Sequence, residues 1–177
     1  MTETTGTDDD RRFPPALAEV ARVEFPYEDD HSVDFEPYEA FEPAEKTTDW
    51  LRHWTGDHDL DGDVYRVFGQ DGTGGLAALW LARPGRPLAD QPVVFMGSEG
   101  ENGVVAGNLS DFLWVLADGL GPCEVVVLQD DTSKPDAALT ELAERHATTP
   151  RRPAAEIIAE AQAEFPTFEE DLEKLCR

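Results

Sequence analysis

Residues 64–119 read VYRVFGQDGTGGLAALWLARPGRPLADQPVVFMGSEGENGVVAGNLSDFLWVLADG, and this stretch decides the fold. Val64 to Phe68 is a short run rich in β-branched and aromatic residues, and Leu76 to Ala82 is a second apolar run. Between them lie Asp71-Gly72 and Gly74-Gly75. Asp-Gly between two such runs signals a hairpin, because glycine supplies the positive φ of tight turns. Pro92 to Met96 is a third strand, after a loop with prolines at 84, 87 and 92. Asn102-Gly103 then reads as a turn into Val104–Ala106. Asn108 or Ser110 is placed to cap a helix. Leu109, Phe112, Leu113, Leu116 and Leu120 recur at helical spacing and form one apolar face.

Outward from this centre, residues 1–12 carry no apolar side chain apart from Met1 and read as a disordered acidic tail. Residues 13–177 read as one domain, with the core motif at 64–119 and helices over 136–176. A short helix is expected from Pro14 to Glu24, and another from Pro43 to Trp54 with Gly56 at its end. Glu124 to Leu128, with Val125-Val126-Val127, reads as a further strand. Asp136 to His146 reads as a helix, and Pro153 opens the last one, which Pro166 interrupts. Leu76–Ala82 and Pro92–Met96 are apolar on both faces, so they belong at the centre of a sheet covered on both sides. The expected fold is α+β: one antiparallel sheet of about five or six strands with flanking helices.

The order of these pieces resembles the SUKH superfamily, which includes fungal cell-wall-assembly regulators and bacterial toxin-immunity proteins. The resemblance lies in Phe68-Gly69-Gln70-Asp71-Gly72-Thr73-Gly74-Gly75, an apolar strand ending in Trp80, Pro92-Val93-Val94-Phe95-Met96-Gly97, and Ser110-Asp111-Phe112-Leu113. It implies a SUKH-type domain that binds proteins without catalysis. Within that family, neutralising a cognate polymorphic toxin is the expected role, and a regulatory scaffold for an endogenous enzyme is the alternative.

The chain has 177 residues and a formal net charge of -24. Such a charge repels nucleic acid and anionic membranes, so neither is expected as a partner. A basic protein is, such as a toxin domain with a nuclease's positively charged groove. Cys123 and Cys176 are the only cysteines and lack metal spacing, which fits a reducing compartment and a cytoplasmic setting.

The most distinctive stretch is Val23 to Glu45, with nine acids, five aromatics and no Lys or Arg. Glu28, Asp29, Asp30, Asp34, Glu36, Tyr38, Glu39 and Glu42 are its candidate partner-binding residues. Acids steer a basic partner, and aromatics supply contact area.

The remaining motifs read as structure. Asp57-His58-Asp59-Leu60-Asp61-Gly62-Asp63-Val64 begins like a calcium loop, but Phe68 stands where the bidentate Glu belongs. Gly69, Gly72, Gly74 and Gly75 lead into a strand rather than a helix, unlike a phosphate cradle. Met96 stands where a nucleophile elbow at Ser98 would need glycine. His31, His53, His58 and His146 show no ligand spacing, and Trp50, Trp54, Trp80 and Trp114 read as core. No catalytic residue, metal or cofactor is expected.

Overall fold

The computed structural model describes residues 11–25, 33–127 and 133–177. Along the chain lie α1 (Pro15–Val20), β1 (Glu36–Pro37), α2 (Ala44–Thr55), β2 (Tyr65–Gln70), β3 (Leu76–Trp80), β4 (Val93–Met96) and β5 (Asn102–Ala106). The helices α3 (Leu109–Ala117), α4 (Pro122–Val127), α5 (Ala137–His146), α6 (Ala154–Glu164) and α7 (Phe168–Glu173) follow. The strands form one antiparallel sheet in chain order, β1-β2-β3-β4-β5. This is the expected α+β architecture, with β3 at the centre.

The β2–β3 hairpin is held by Asp71. Its Oδ1 accepts the Thr73 and Gly75 main-chain N–H groups at 3.0 and 2.8 Å, and the Thr73 hydroxyl at 2.9 Å. Gly74 adopts φ +90°, which only glycine takes at little cost. Val67 pairs with Ala78 and Gly69 with Ala77, so Phe68 is an extra residue in a bulge. Gly69 has no side chain to collide with the Phe35 ring, which would lie 2.4 Å from a Cβ there. That clearance lets β1 lie against β2.

Alternation sends the strand side chains to two cores. On one face Phe68, Ala77, Leu79, Val93, Phe95 and Val105 pack with Leu17, Val20, Phe112, Leu113, Leu116 and Leu142, so α1, α3 and α5 cover it. On the other, Tyr65, Val67, Leu76, Ala78, Val94, Met96 and Val104 pack with Leu51, Ala161, Phe168 and Leu172 from α2, α6 and α7. The sheet is thus the middle of three layers, as its doubly apolar central strands require. Trp114 is buried in the first core, and Trp50, Trp54 and Trp80 pack half-buried on the second.

Helix ends follow the local chemistry. The Asn108 side chain accepts Asp111 N–H at 2.8 Å, Asp136 caps α5 through Leu139 N–H at 2.9 Å, and Gly56 ends α2 with φ +75°.

Two expectations fail. Of the expected strand Glu124–Leu128, residues 124–127 are helical instead, within α4 (Pro122–Val127), and Leu128 lies outside the described residues. Pro122 stands in its first turn, and the Glu124 carboxylate takes up the Gly121 N–H at 3.1 Å. Val125 and Val126 then bury their branched side chains on the first core as well from a helix as from a strand. Asn102-Gly103 is not a turn either. Both residues lie inside β5, paired with Met96 and Phe95, and the chain reverses at Gly97–Gly100, where Gly100 has φ +100°. The Gly97 N–H bonds to Glu101 O at 2.8 Å across that turn, which contains Ser98.

Candidate functional site

The described part of the acidic strip is an edge of the sheet. Glu36 pairs with Gln70 and Pro37 with Gly69. Tyr38 N–H bonds to Phe68 O at 2.8 Å, and Glu42 N–H to Val67 O at 2.9 Å. Its phenylalanines turn inward: Phe35 is buried edge-on to Phe25 and Phe68, and Phe41 meets Phe13 at 5.0 Å. Aromatic anchoring therefore fixes the backbone, and the acids alternate with it.

The eight candidate residues divide by what their side chains do. Glu28, Asp29 and Asp30 lie outside the described residues. Asp34 is structural: its Oδ1 accepts Gly72 N–H at 2.8 Å, tying the strip to the hairpin tip. Glu36 is exposed and accepts Gln70 Nε2–H at 2.9 Å, while Tyr38 O–H donates to Gln70 Oε1 at 2.9 Å. These three residues form one polar chain on the edge. Burial first, then the Glu42 and Glu36 charges, push the Tyr38 phenol up to about 12, so it stays a neutral donor. Glu39 is exposed, and Glu42 is half-buried with its Oε2 accepting the Thr47 hydroxyl at 2.9 Å. The structure thus brings together Glu36, Tyr38, Glu39 and Glu42, and assigns Asp34 to the scaffold.

Sequence reasoning missed the latch beneath this edge. Glu124 is buried, and its Oε1 accepts Asp34 N–H at 2.7 Å while Oε2 accepts Gly121 N–H at 3.1 Å. Burial raises its carboxyl above the ordinary range, and those N–H groups partly offset the rise. Burial first, then the Glu124, Asp71 and Asp34 carboxylates, push the ionisation of half-buried Cys123 far upward, so it keeps its thiol proton. It is therefore a poor nucleophile. An isolated Glu in an apparent strand carries no signal of such a role.

Elsewhere several charged groups pair in place. A cavity of about 650 Å³ lies between α1, the 83–90 loop and the start of α3. Its Arg83 donates to Asp90 O and, at 2.7 Å, to Gly107 O, and pairs with Glu164 at 2.6 Å. Arg86 pairs with Asp90 at 3.2 Å, and His146 faces Glu19 at 3.1 Å. The Asp57–Asp63 loop uses its acids internally: Asp57 accepts Asp59 N–H and pairs with Arg177, and Asp61 accepts Asp63 N–H. Among the described residues no three His, Cys, Asp or Glu side chains converge as metal ligands, and no helix is long and apolar enough to cross a membrane.

No family model, curated protein or solved structure matches the chain.

Proposed function

We propose that this chain is a non-catalytic protein-binding module of the SUKH type. It neutralises a toxin domain by covering that domain's basic active-site groove, one copy to one toxin. The observation that carries the reading is the β1 edge. Its backbone is fixed by ladder hydrogen bonds and buried aromatics, while Glu36 and Glu39 face solvent, and Val23–Glu45 contains no Lys or Arg. A rigid acidic edge presents charge without the entropic loss of ordering a loop, which favours fast, charge-steered capture of a basic protein.

The test starts from the gene's neighbourhood: a toxin domain encoded beside it is expected and is the partner to use. An equimolar amount of this chain is expected to abolish its activity; full activity in the mixture sinks the reading. Asp29, Asp30, Glu36 and Glu39 are then changed together to Lys, and Asp34 is spared because it holds Gly72. Association is expected to slow by about tenfold or more at low salt and to lose most of its salt dependence. An unchanged association rate and salt slope would reduce the edge to a solvated surface. Stoichiometric capture of an endogenous enzyme in cells without a toxin gene would favour the regulatory scaffold instead.

A further inference from the structure

The cavity of about 650 Å³ between α1, the 83–90 loop and the start of α3 carries chemistry that neither the core nor the acidic edge uses. Its size is that of a small-molecule site, about 300–1,000 Å³. Buried Leu109 and Leu113 form its floor, and Pro14, Pro15 and Ala89 stand along its sides, with Pro15 and Ala89 exposed. These surfaces are aliphatic. The permanent charges among its described lining residues are Arg83, Arg86 and Asp90. In a chain of net charge -24, a hollow lined by more cations than anions runs against the overall field.

Two sets of donors there have capacity to spare. Arg83 is committed, since its guanidinium bonds to Asp90 O, Gly107 O and Glu164. Arg86 is different: its side chain is 63% exposed and meets Asp90 through one nitrogen at 3.2 Å. An exposed pair of that kind contributes little, and a guanidinium donates from every nitrogen, so a second carboxylate has donors to meet. The Ser110 and Thr148 hydroxyls lie 3.0 Å apart, and Ser110 Oγ also accepts the Thr148 N–H at 2.9 Å. Two hydroxyls that share one hydrogen bond leave one proton to give.

We propose that this cavity binds a small aliphatic carboxylate. The carboxylate bonds to Arg86 and takes the remaining hydroxyl proton of the Ser110–Thr148 pair. The hydrocarbon lies between Pro15 and Ala89, over Leu109 and Leu113. Charge-assisted hydrogen bonds fix the head of such a ligand, and apolar burial holds its tail. None of these residues belongs to the β1 edge, so the failure of either site leaves the other standing.

The probe is octanoate, titrated into the full chain and followed by calorimetry and NMR, with 1-octanol and octyltrimethylammonium as matched ligands. Saturable binding of octanoate is expected, with amide shifts at Ala89, Ser110 and Thr148. Octanol, which lacks the charge, is expected to bind about tenfold more weakly. The cation separates a built site from general attraction. A chain of net charge -24 draws cations over its whole surface, so octyltrimethylammonium is expected to leave those three amides unmoved. Arg86→Gln, at an exposed position, is expected to weaken octanoate about tenfold and to leave octanol unchanged, a split that a loss of fold cannot produce. Ala89→Trp, also at an exposed position, fills the cavity and is expected to abolish the binding of both, with the fold checked by circular dichroism. No saturable binding of octanoate, octanol or the cation binding at these residues as tightly as octanoate, Arg86→Gln affecting neither ligand or both alike, or a folded Ala89→Trp variant that binds as before would each overturn the proposal.

Discussion

Gly74 and Gly72 stand two residues apart in one turn, and the structure gives them different reasons to be glycine. At Gly74 the φ of +90° strains any other residue, although a Cβ there meets nothing within 4 Å. Gly74→Val is expected to lower stability by about 1 kcal/mol or more. In a chain of this size that is about 2–4 °C in melting temperature per kcal/mol, and an unchanged melting curve refutes it. At Gly72 the backbone is ordinary, but a Cβ would lie 3.2 Å from Asp34 Oδ1, so the loss there is of the Asp34 tie. Glu124 gives a pH test. A carboxyl whose value is raised by folding holds its proton more tightly folded than unfolded. Its contribution is therefore complete below the unfolded value, about 4.3, and is lost as pH rises through the folded one. Glu124→Gln cannot titrate. The stability of the natural chain relative to this variant is expected to fall as pH climbs above about 4.3, measured by urea unfolding at each pH. Parallel profiles would show that burial does not raise this group.

The helix α4 shows where the sequence misleads. Val125-Val126-Val127 has the composition of a strand, and strand preference is largely a preference for a half-buried pleated surface. Here the same surface is supplied by the first core, while Pro122 and the Glu124–Gly121 bond start a helical turn. Val127 is 49% exposed at its end. Val127→Ala is expected to raise stability by a few tenths of a kcal/mol, up to about 0.5, because alanine is the better helix former. A loss on thermal unfolding would argue for extended backbone there. By contrast, the hairpin at Asp71–Gly75, the Asn108 cap and the Gly56 stop were legible, because each is short-range chemistry written within a few residues. Of the acidic strip, its composition and its aromatic anchoring were legible. That Asp34 serves Gly72 while Glu36 and Glu39 face outward was not, because it depends on partners 38 and 34 residues away.

At the scale of the whole molecule, a net charge of -24 spread over 177 residues opposes compaction. Between about 0.01 M and 0.1 M salt the screening length falls from about 30 Å to about 10 Å, so the melting temperature is expected to rise over that range. A flat or falling curve would mean that local ion pairs such as Arg152 with Asp111, at 2.9 Å, outweigh the general repulsion. The layering has a consequence for how the chain is made. The strands pair strictly with their neighbours in sequence, so β2 to β5 can form as each emerges, without waiting for a distant strand. The face carrying Val67, Ala78, Val94, Met96 and Val104 waits for Ala161, Phe168 and Leu172, which follow the sheet in the chain. Until they emerge, the nascent chain displays a flat apolar surface, the kind that chaperones hold. A chain stalled before α6 is expected to bind such a holdase, and a chain that carries α6 and α7 is not.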